Sequence, residues 1–197
     1  MTRIVMSTAA HISHRKQQLR AQLQRARQQL NSEAAKSADT AIRAHICRLA
    51  QGRTVAAYAP MAGEPGGAQL VPELADAATQ LWLPISGPAG QLLWARYTGP
   101  DSLAPGALGI AEPTGQRRDS TVLAELDLIV VPALGCTPDG VRLGKGAGYY
   151  DRALAGVSTT TAVLLYPGEV RADIPVEDHD ARMDMHISPA GVEPFGS

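Results

Sequence analysis

The sequence has little or none of three features that would point to particular classes of protein: cysteine, an excess of one charge, and long apolar runs. It has two cysteines among 197 residues, Cys47 and Cys136, so we expect neither a disulfide framework nor a four-cysteine zinc site, and a cytoplasmic location is predicted. The formal net charge is −1, whereas proteins that bind nucleic acid or membrane surfaces generically are usually clearly basic. No apolar run approaches the length of a transmembrane helix. We therefore expect no nucleic-acid partner and no membrane partner.

The first 15 residues carry arginine and histidine but no acidic residue. This composition weakly resembles an organelle transit peptide, but no apolar stretch of signal-peptide length follows it. Residues 1–13 are therefore predicted to be a short flexible tail. The remaining residues, 14–197, are enough for one domain, and the 45% apolar content of the chain can fill a large core.

Hydrophobic periodicity predicts a single three-layer α/β/α domain with a mostly parallel central sheet. The segment 126–131 is almost entirely apolar, which is typical of a strand covered on both faces in the middle of such a sheet. Helices and strands are predicted to alternate around it. The predicted helices cover 14–30, 32–52, 70–78 and 148–154, and the other predicted strands cover 54–59, 80–85, 91–97, 159–166 and 183–188; residues 98–121 read as a long connection.

The most informative segment runs from Gly140 to Arg152, between the buried strand and the next helix. Ligands in open α/β sheets bind at the carboxyl ends of the strands, and alternating glycines let backbone N–H groups approach an anion closely. The N-terminus of the following helix adds partial positive charge. The glycines and cations of this predicted polyphosphate-binding loop are Gly144, Gly146, Gly148, Arg142 and Lys145.

Two known phosphate-binding motifs do not fit this loop. A P-loop has four residues between its glycines and then Lys and Ser or Thr, whereas Gly140 and Gly144 enclose three residues and Gly146 follows Lys145. A dinucleotide fingerprint requires glycine where Tyr149 stands. An ordinary glycine-rich turn with solvated cations is the alternative, but two cations, a tyrosine pair and an aspartate in one segment favour a binding site.

Asp151 has two interpretations that the spacing does not separate. An acid in the first turn of a helix commonly complements the helix dipole. The same carboxylate could hold Mg²⁺ against phosphate oxygens, since magnesium usually binds one or two carboxylates together with phosphates and waters.

The segment matches the pattern G-x-R-L-G-x-G-x-G-Y-Y-D-R throughout and resembles the signature of the 5-formyltetrahydrofolate cyclo-ligases, also called 5,10-methenyltetrahydrofolate synthetases. Further family features follow in the expected order, so that the resemblance spans roughly residues 14–192. They are an N-terminal K-x-x-L-R at Lys16, Leu19 and Arg20; a Y-x-P…E segment at Tyr58, Pro60 and Glu64; G-I-x-E-P at 109–113; and P-x-E-x-H-D-x-x-x-D at 175–184.

The resemblance implies an ATP- and Mg²⁺-dependent ligase that closes a ring on 5-formyltetrahydrofolate, and it assigns roles to individual residues. Catalytic roles fall to Arg142, Lys145 and Asp151. ATP contacts fall to Lys16, Arg20, Arg142, Leu143, Gly144, Lys145, Gly146, Ala147, Gly148, Tyr149 and Tyr150. Folate contacts fall to Glu64, Lys145, Gly146, Ala147, Gly148 and Tyr149, and metal binding falls to Asp151 and Asp184.

The chain also departs from the family pattern. Gly135, Cys136 and Thr137 stand where such enzymes usually have an apolar-Phe-Asp stretch, and Pro65 follows Glu64 where a more apolar run is usual. These departures keep two alternatives open: a diverged paralogue that uses ATP on another formyl or amide substrate, and a non-catalytic folate or nucleotide sensor. The roles of His179 and Asp180, as an acid–base or metal pair or as structural hydrogen-bonding groups, and the oligomeric state also stay open.

Overall fold

The computed structural model describes residues 8–106, 109–177 and 180–196, and its centre is a seven-stranded sheet. Its strands are β1 (Thr54–Ala56), β2 (Gln80–Ser86), β3 (Leu92–Tyr97), β6 (Leu128–Val131), β9 (Thr161–Leu164), β10 (Met185–Ser188) and β11 (Gly191–Pro194). Their order across the sheet is β11-β10-β9-β6-β1-β2-β3. Neighbours from β10 to β2 pair in parallel, while the edge strands β3 and β11 pair antiparallel.

Strand β6 occupies the middle of the sheet because all four of its side chains are apolar and need cover on both faces. Leu128 and Val130 point to one core, which contains α2 (Ser32–Ala50) and α3 (Leu70–Ala77). Ile129 and Val131 point to the other core, which contains the short helix α4 (Tyr149–Ala153) and the 3-10 segment Ser120–Glu125. The predicted three-layer α/β/α architecture and the central position of this strand are confirmed.

The first helix, α1 (Thr8–Gln28), does not cover the sheet but lies against the loops at its carboxyl edge. Its apolar residues Leu19 and Leu23 form a separate small core with Leu134, Leu143 and Ile174. The helix includes residues 8–13, for which a flexible tail was predicted, whereas residues 1–7 lie outside the described residues. Its polar face is therefore free to contribute side chains to the edge of the sheet where ligands bind.

Short elements that the sequence pattern did not reveal complete the fold. Residues 98–121, predicted as a connection, contain the hairpin of β4 (Leu103–Pro105) and β5 (Ala111–Pro113). A second hairpin, β7 (Gly135–Cys136) and β8 (Arg142–Leu143), leads into the glycine-rich loop. Strands of two or three residues are too short to show the alternation on which a sequence prediction depends.

Among the described residues, no helix combines the length and the apolar character required to cross a bilayer. Both cysteines are unpaired, and Cys136 is buried in β7.

Candidate active site

The glycine-rich loop takes its shape from a hairpin and from left-handed backbone angles. Strand β8 ends at Leu143, and the next residues turn past the carboxyl edge of the sheet. Gly146 has φ +101° and Gly148 has φ +70°, angles that residues with a Cβ rarely adopt. A Cβ on Gly144 would lie 2.4 Å from the Arg142 guanidinium. The glycines thus set the turn and allow the buried cation to lie against the backbone.

A polar cavity of about 700 Å³ lies between α1 and this loop. Its basic residues come from both sides: Lys16 and Arg20 from α1, and Arg142 and Arg152 from β8 and α4. Arg20 Nε donates to the Gly144 carbonyl oxygen at 2.8 Å, which ties the helix to the loop. Four cations around one cavity suit an anionic ligand such as a polyphosphate.

Arg142 is buried but retains unused hydrogen-bonding capacity. It donates to the Pro132 carbonyl oxygen at 3.1 Å and forms an ion pair with Asp151. Its guanidinium lies over the Tyr150 ring, 5.9 Å from the ring centroid. Within the described part of the chain, Arg142 Nε and the Tyr150 hydroxyl are buried polar atoms without a hydrogen-bond partner. Buried orphan donors carry a desolvation cost, so they mark a place where a ligand can supply acceptors.

Lys16 is also buried, and its charge is balanced by acids from the segment before β10. Its Nζ lies 2.8 Å from Glu177 Oε2 and 2.5 Å from Asp180 Oδ2. Asp180 additionally accepts from the Glu177 backbone N–H. These contacts give Asp180 a structural role at the rim of the polar cavity, while its predicted partner His179 lies outside the described residues.

A second cavity of about 530 Å³ lies on the other side of the glycine loop and is more apolar. The two cavities meet at the loop, where Arg142, Asp151 and three glycines border both. The apolar cavity can receive an aromatic ligand whose reacting end approaches the polar cavity. Its remaining wall includes Tyr58, Met61, Pro84, Leu92, Ile110, Ala147, Tyr149 and Tyr150.

Glu64 is the buried carboxylate of the apolar cavity. Its Oε2 accepts from the Met61 backbone N–H at 2.8 Å, and its Oε1 lies 2.7 Å from Lys145 Nζ. Lys145 therefore lines the apolar cavity and not the polar one. The structure brings Glu64 and Lys145 together, but it places the lysine away from Lys16, Arg20 and Arg142, with which it was grouped as a phosphate ligand.

The two tyrosines of the signature have different surroundings. Tyr150 is half-buried with its hydroxyl fully buried, and its ring meets that of Trp94 edge-on at 6.1 Å. Burial raises the pKa of this hydroxyl above the ordinary range. Tyr149 is half-buried and lies 5.7 Å from the Arg152 guanidinium. Tyr150 is thus neutral and able to donate a hydrogen bond, whereas Tyr149 offers a ring face.

Asp151 fits the requirements of a magnesium ligand. Its side chain is 30% exposed and lies on the boundary of the two cavities, beside the Arg142 guanidinium. Magnesium commonly takes a single protein carboxylate with phosphate oxygens and waters. In the part of the chain that the structure describes, no group of three or more His, Cys, Asp or Glu side chains could hold a metal ion.

The structure does not bring Asp184 to this site. Its Oδ2 accepts from the backbone N–H of Thr161 at 2.7 Å and from the Thr161 hydroxyl at 2.8 Å. Thr161 begins β9, whereas Arg142 and Asp151 lie beyond the end of the parallel strand β6, where Pro132 accepts from Arg142. Asp184 therefore lies at the amino ends of the parallel strands, where it holds the start of β9. It is too far from Asp151, at the carboxyl ends, to share a metal ion with it.

The sequence interpretation missed a buried ion pair that fixes α1. Arg27 Nε donates to Glu169 Oε1 at 2.7 Å, and Arg27 also donates to the Ala133 carbonyl oxygen at 2.8 Å. Burial by itself lowers the pKa of Arg27, but the hydrogen bonds and charge of Glu169 raise it above its ordinary value. Arg27 lies eleven positions after Lys16, three turns along the same face of the helix, which is the sequence signal that could have identified it.

Cys136, which stands where the family usually has phenylalanine, is not a nucleophile. It is fully buried, and burial raises the pKa of its thiol to about 12. Its backbone N–H donates to the Glu169 carbonyl oxygen at 3.0 Å. The residue supports the β7–β8 hairpin and lies outside the walls of both cavities.

Comparison with known proteins agrees with this geometry. The family model for the 5-formyltetrahydrofolate cyclo-ligase family matches residues 12–189. The chain is 33% identical over 182 residues to the 5-formyltetrahydrofolate cyclo-ligase of Mycolicibacterium smegmatis, covering 88% of this chain and 93% of that protein. It is 30% identical over 149 residues to the protein of the same name from Escherichia coli, covering 73% and 82%.

Solved structures give the same result for the fold. The NMR structure of Aquifex aeolicus 5,10-methenyltetrahydrofolate synthetase is 27% identical and matches with a TM-score of 0.78, covering 92% of this chain and 93% of that chain. The corresponding synthetase from Mycoplasma pneumoniae matches with a TM-score of 0.70 over 88% of this chain and 98% of that chain. At 19% identity, the second match speaks for the fold alone.

Proposed function

Because the chain belongs to the 5-formyltetrahydrofolate cyclo-ligase family, we propose that it cyclises 5-formyltetrahydrofolate to 5,10-methenyltetrahydrofolate with ATP and Mg²⁺, releasing ADP and phosphate. The observation that carries this proposal is the meeting of two cavities at one loop. ATP would place its phosphates in the polar cavity among Lys16, Arg20 and Arg142. The pterin would enter the apolar cavity towards Glu64.

The proposed reaction has two chemical steps. The formyl oxygen on N5 attacks the γ-phosphorus of ATP, the bond to the β-phosphate oxygen breaks, and ADP leaves. N10 then attacks the activated formyl carbon, loses its proton, and the phosphate leaves from that carbon to give the methenyl bridge. Neither step requires a covalent enzyme nucleophile, because phosphoryl transfer can be served by positioning and charge neutralisation.

The protein's part in these steps is electrostatic and geometric. Arg142 is held rigidly by Pro132 and Asp151 at the junction of the cavities, where the transferred phosphoryl group would pass. The glycine loop offers backbone N–H groups at the same place. Mg²⁺ bound at Asp151 would neutralise charge on the phosphate oxygens. The walls of Tyr58 and Tyr150 would exclude water from the activated formyl group.

The decisive experiment measures ATP turnover and the absorbance of methenyl-folate, with and without 5-formyltetrahydrofolate. We expect ATP use that depends on the folate and matches product formation one to one. Folate-independent turnover would indicate a paralogue acting on another formyl or amide substrate, and binding of both ligands without turnover would indicate a sensor.

We also infer a cytoplasmic location, with which the unpaired thiols of Cys47 and Cys136 agree.

Replacement of Arg20 by alanine is expected to raise the KM for ATP by about tenfold or more with a smaller change in kcat. A charge-assisted hydrogen bond contributes on the order of 1.5–3 kcal/mol, and Arg20 faces the polar cavity beside Gly144 and Gly146. The measurement is a steady-state ATP titration. Arg25→Ala is the matched control, because Arg25 is an exposed arginine of the same helix outside both cavities; equal KM values for the two variants would remove Arg20 from the ATP site.

A further inference from the structure

The side chain of Lys145 lies on the folate side of the glycine loop although the loop faces both cavities. Its neighbours Gly144 and Gly146 border the polar and the apolar cavity alike. The ammonium group nevertheless lies 2.7 Å from Glu64 Oε1 and 3.2 Å from the Met61 sulfur. The lysine side chain is 43% exposed, so it is not locked in this position by packing. A rotation of the side chain would carry its charge from one cavity to the other.

The partner of Lys145 is a buried carboxylate whose two oxygens have different partners. Glu64 is buried, and its Oε2 is already engaged by the Met61 backbone N–H at 2.8 Å. The N–H donors of a pterin would therefore approach Oε1, the atom that Lys145 occupies. Folate and Lys145 compete for the same carboxylate oxygen.

We propose that the Glu64–Lys145 ion pair is a switch through which folate binding increases the affinity for ATP. This inference rests on the proposed function and deepens it. Pterin N–H groups take over Glu64 Oε1, and the released Lys145 turns to the phosphates in the polar cavity. Without folate, movement of Lys145 towards ATP would leave a buried carboxylate without its counter-charge, which is costly. Each ligand thus removes an obstacle to the binding of the other.

Such coupling must be reciprocal, since the same free energy links the two binding equilibria. We expect 5-formyltetrahydrofolate to lower the Kd of a non-hydrolysable ATP analogue about tenfold, within the range usual for coupled sites. The analogue should tighten folate binding by the same factor. Titration calorimetry of the full chain with Mg²⁺, performed in both orders of addition, measures both factors without turnover.

The Glu64→Gln variant gives the sharpest test because its predicted effect is opposite to simple damage. Glutamine keeps the acceptor for Met61 but releases Lys145, so the ATP analogue should bind several-fold more tightly than to the wild type when folate is absent. Folate should then raise the affinity of this variant for the ATP analogue by less than twofold. Glu73→Gln is the matched control: it removes a carboxylate paired with Arg43 outside both cavities, and its ATP affinity and coupling should equal those of the wild type.

Lys145→Ala provides the second variant and keeps the test valid if Glu64→Gln does not fold. Its ATP affinity should be weaker than that of the wild type in the presence of folate and insensitive to folate. The switch is overturned if wild-type protein binds both ligands independently, or if Glu64→Gln binds the analogue no more tightly than the wild type. Failure of wild-type protein to bind the ATP analogue at all would instead overturn the proposed function, and the switch with it.

Discussion

Replacing Asp151 by asparagine is expected to lower the turnover of 5-formyltetrahydrofolate about 100-fold or more at ordinary Mg²⁺ concentrations. Asparagine keeps an oxygen that can accept from Arg142 but loses the charge at the junction of the two cavities. Neutralisation of a transferring phosphoryl group by a metal contributes several kcal/mol, and each 1.36 kcal/mol corresponds to about tenfold in rate. Part of the loss should return at high Mg²⁺, because weaker metal affinity is compensated by mass action.

The measurement is methenyl-folate formation across a magnesium titration, accompanied by a thermal melt. Asp139→Asn is the matched control, since Asp139 pairs with Arg182 on the surface and borders neither cavity. We expect wild-type turnover for this control. If Asp151 served only structure, by complementing the dipole of α4 and pairing with Arg142, its variant would lose stability but turn over normally. That result would remove the carboxylate from the reaction.

Replacing Glu169 by alanine is expected to lower the free energy of unfolding by about 3–5 kcal/mol, because it leaves the Arg27 charge buried without its partner. Both side chains of this pair are only 6% exposed. The substitution should also weaken ATP binding, since Arg27 fixes the helix that carries Lys16 and Arg20. A raised KM for ATP should therefore accompany the loss of stability.

Urea denaturation and ATP titration test these two effects. Glu73→Ala, which breaks a partly exposed pair with Arg43, should cost no more than about 1 kcal/mol. The double variant Arg27→Met, Glu169→Leu should recover part of the stability, since apolar residues often replace a buried ion pair without loss. The recovery is incomplete because the Ala133 carbonyl and the Tyr166 N–H lose their partners. A Glu169→Ala protein as stable as the Glu73→Ala control would show that the buried pair does not anchor α1.

The sequence by itself determined the fold class, the family and the position of the signature loop. The continuous apolar segment at Leu128–Val131 requires cover on both faces, and this requirement alone places it in the centre of an α/β sheet. The alternating glycines follow Arg142 directly in the chain, so their proximity to its guanidinium needed no tertiary information. Local rules identify local features, and the α/β architecture and the family membership predicted in this way are confirmed.

Only the tertiary structure decided which charged groups meet. Glu64 reaches Lys145 across 81 positions of the chain, and Arg27 reaches Glu169 across 142. Asp184 belongs to the same sequence motif as Glu177 and Asp180 at the rim of the polar cavity. It nevertheless accepts a hydrogen bond from Thr161 at the amino ends of the parallel strands. Pairing between distant residues depends on how helices and loops pack around the sheet. Buried charges need a partner, but this packing determines which charged groups become neighbours. The physical reason is that hydrophobic periodicity specifies which face of an element is buried, while the identity of the neighbour on that face is a property of the whole fold.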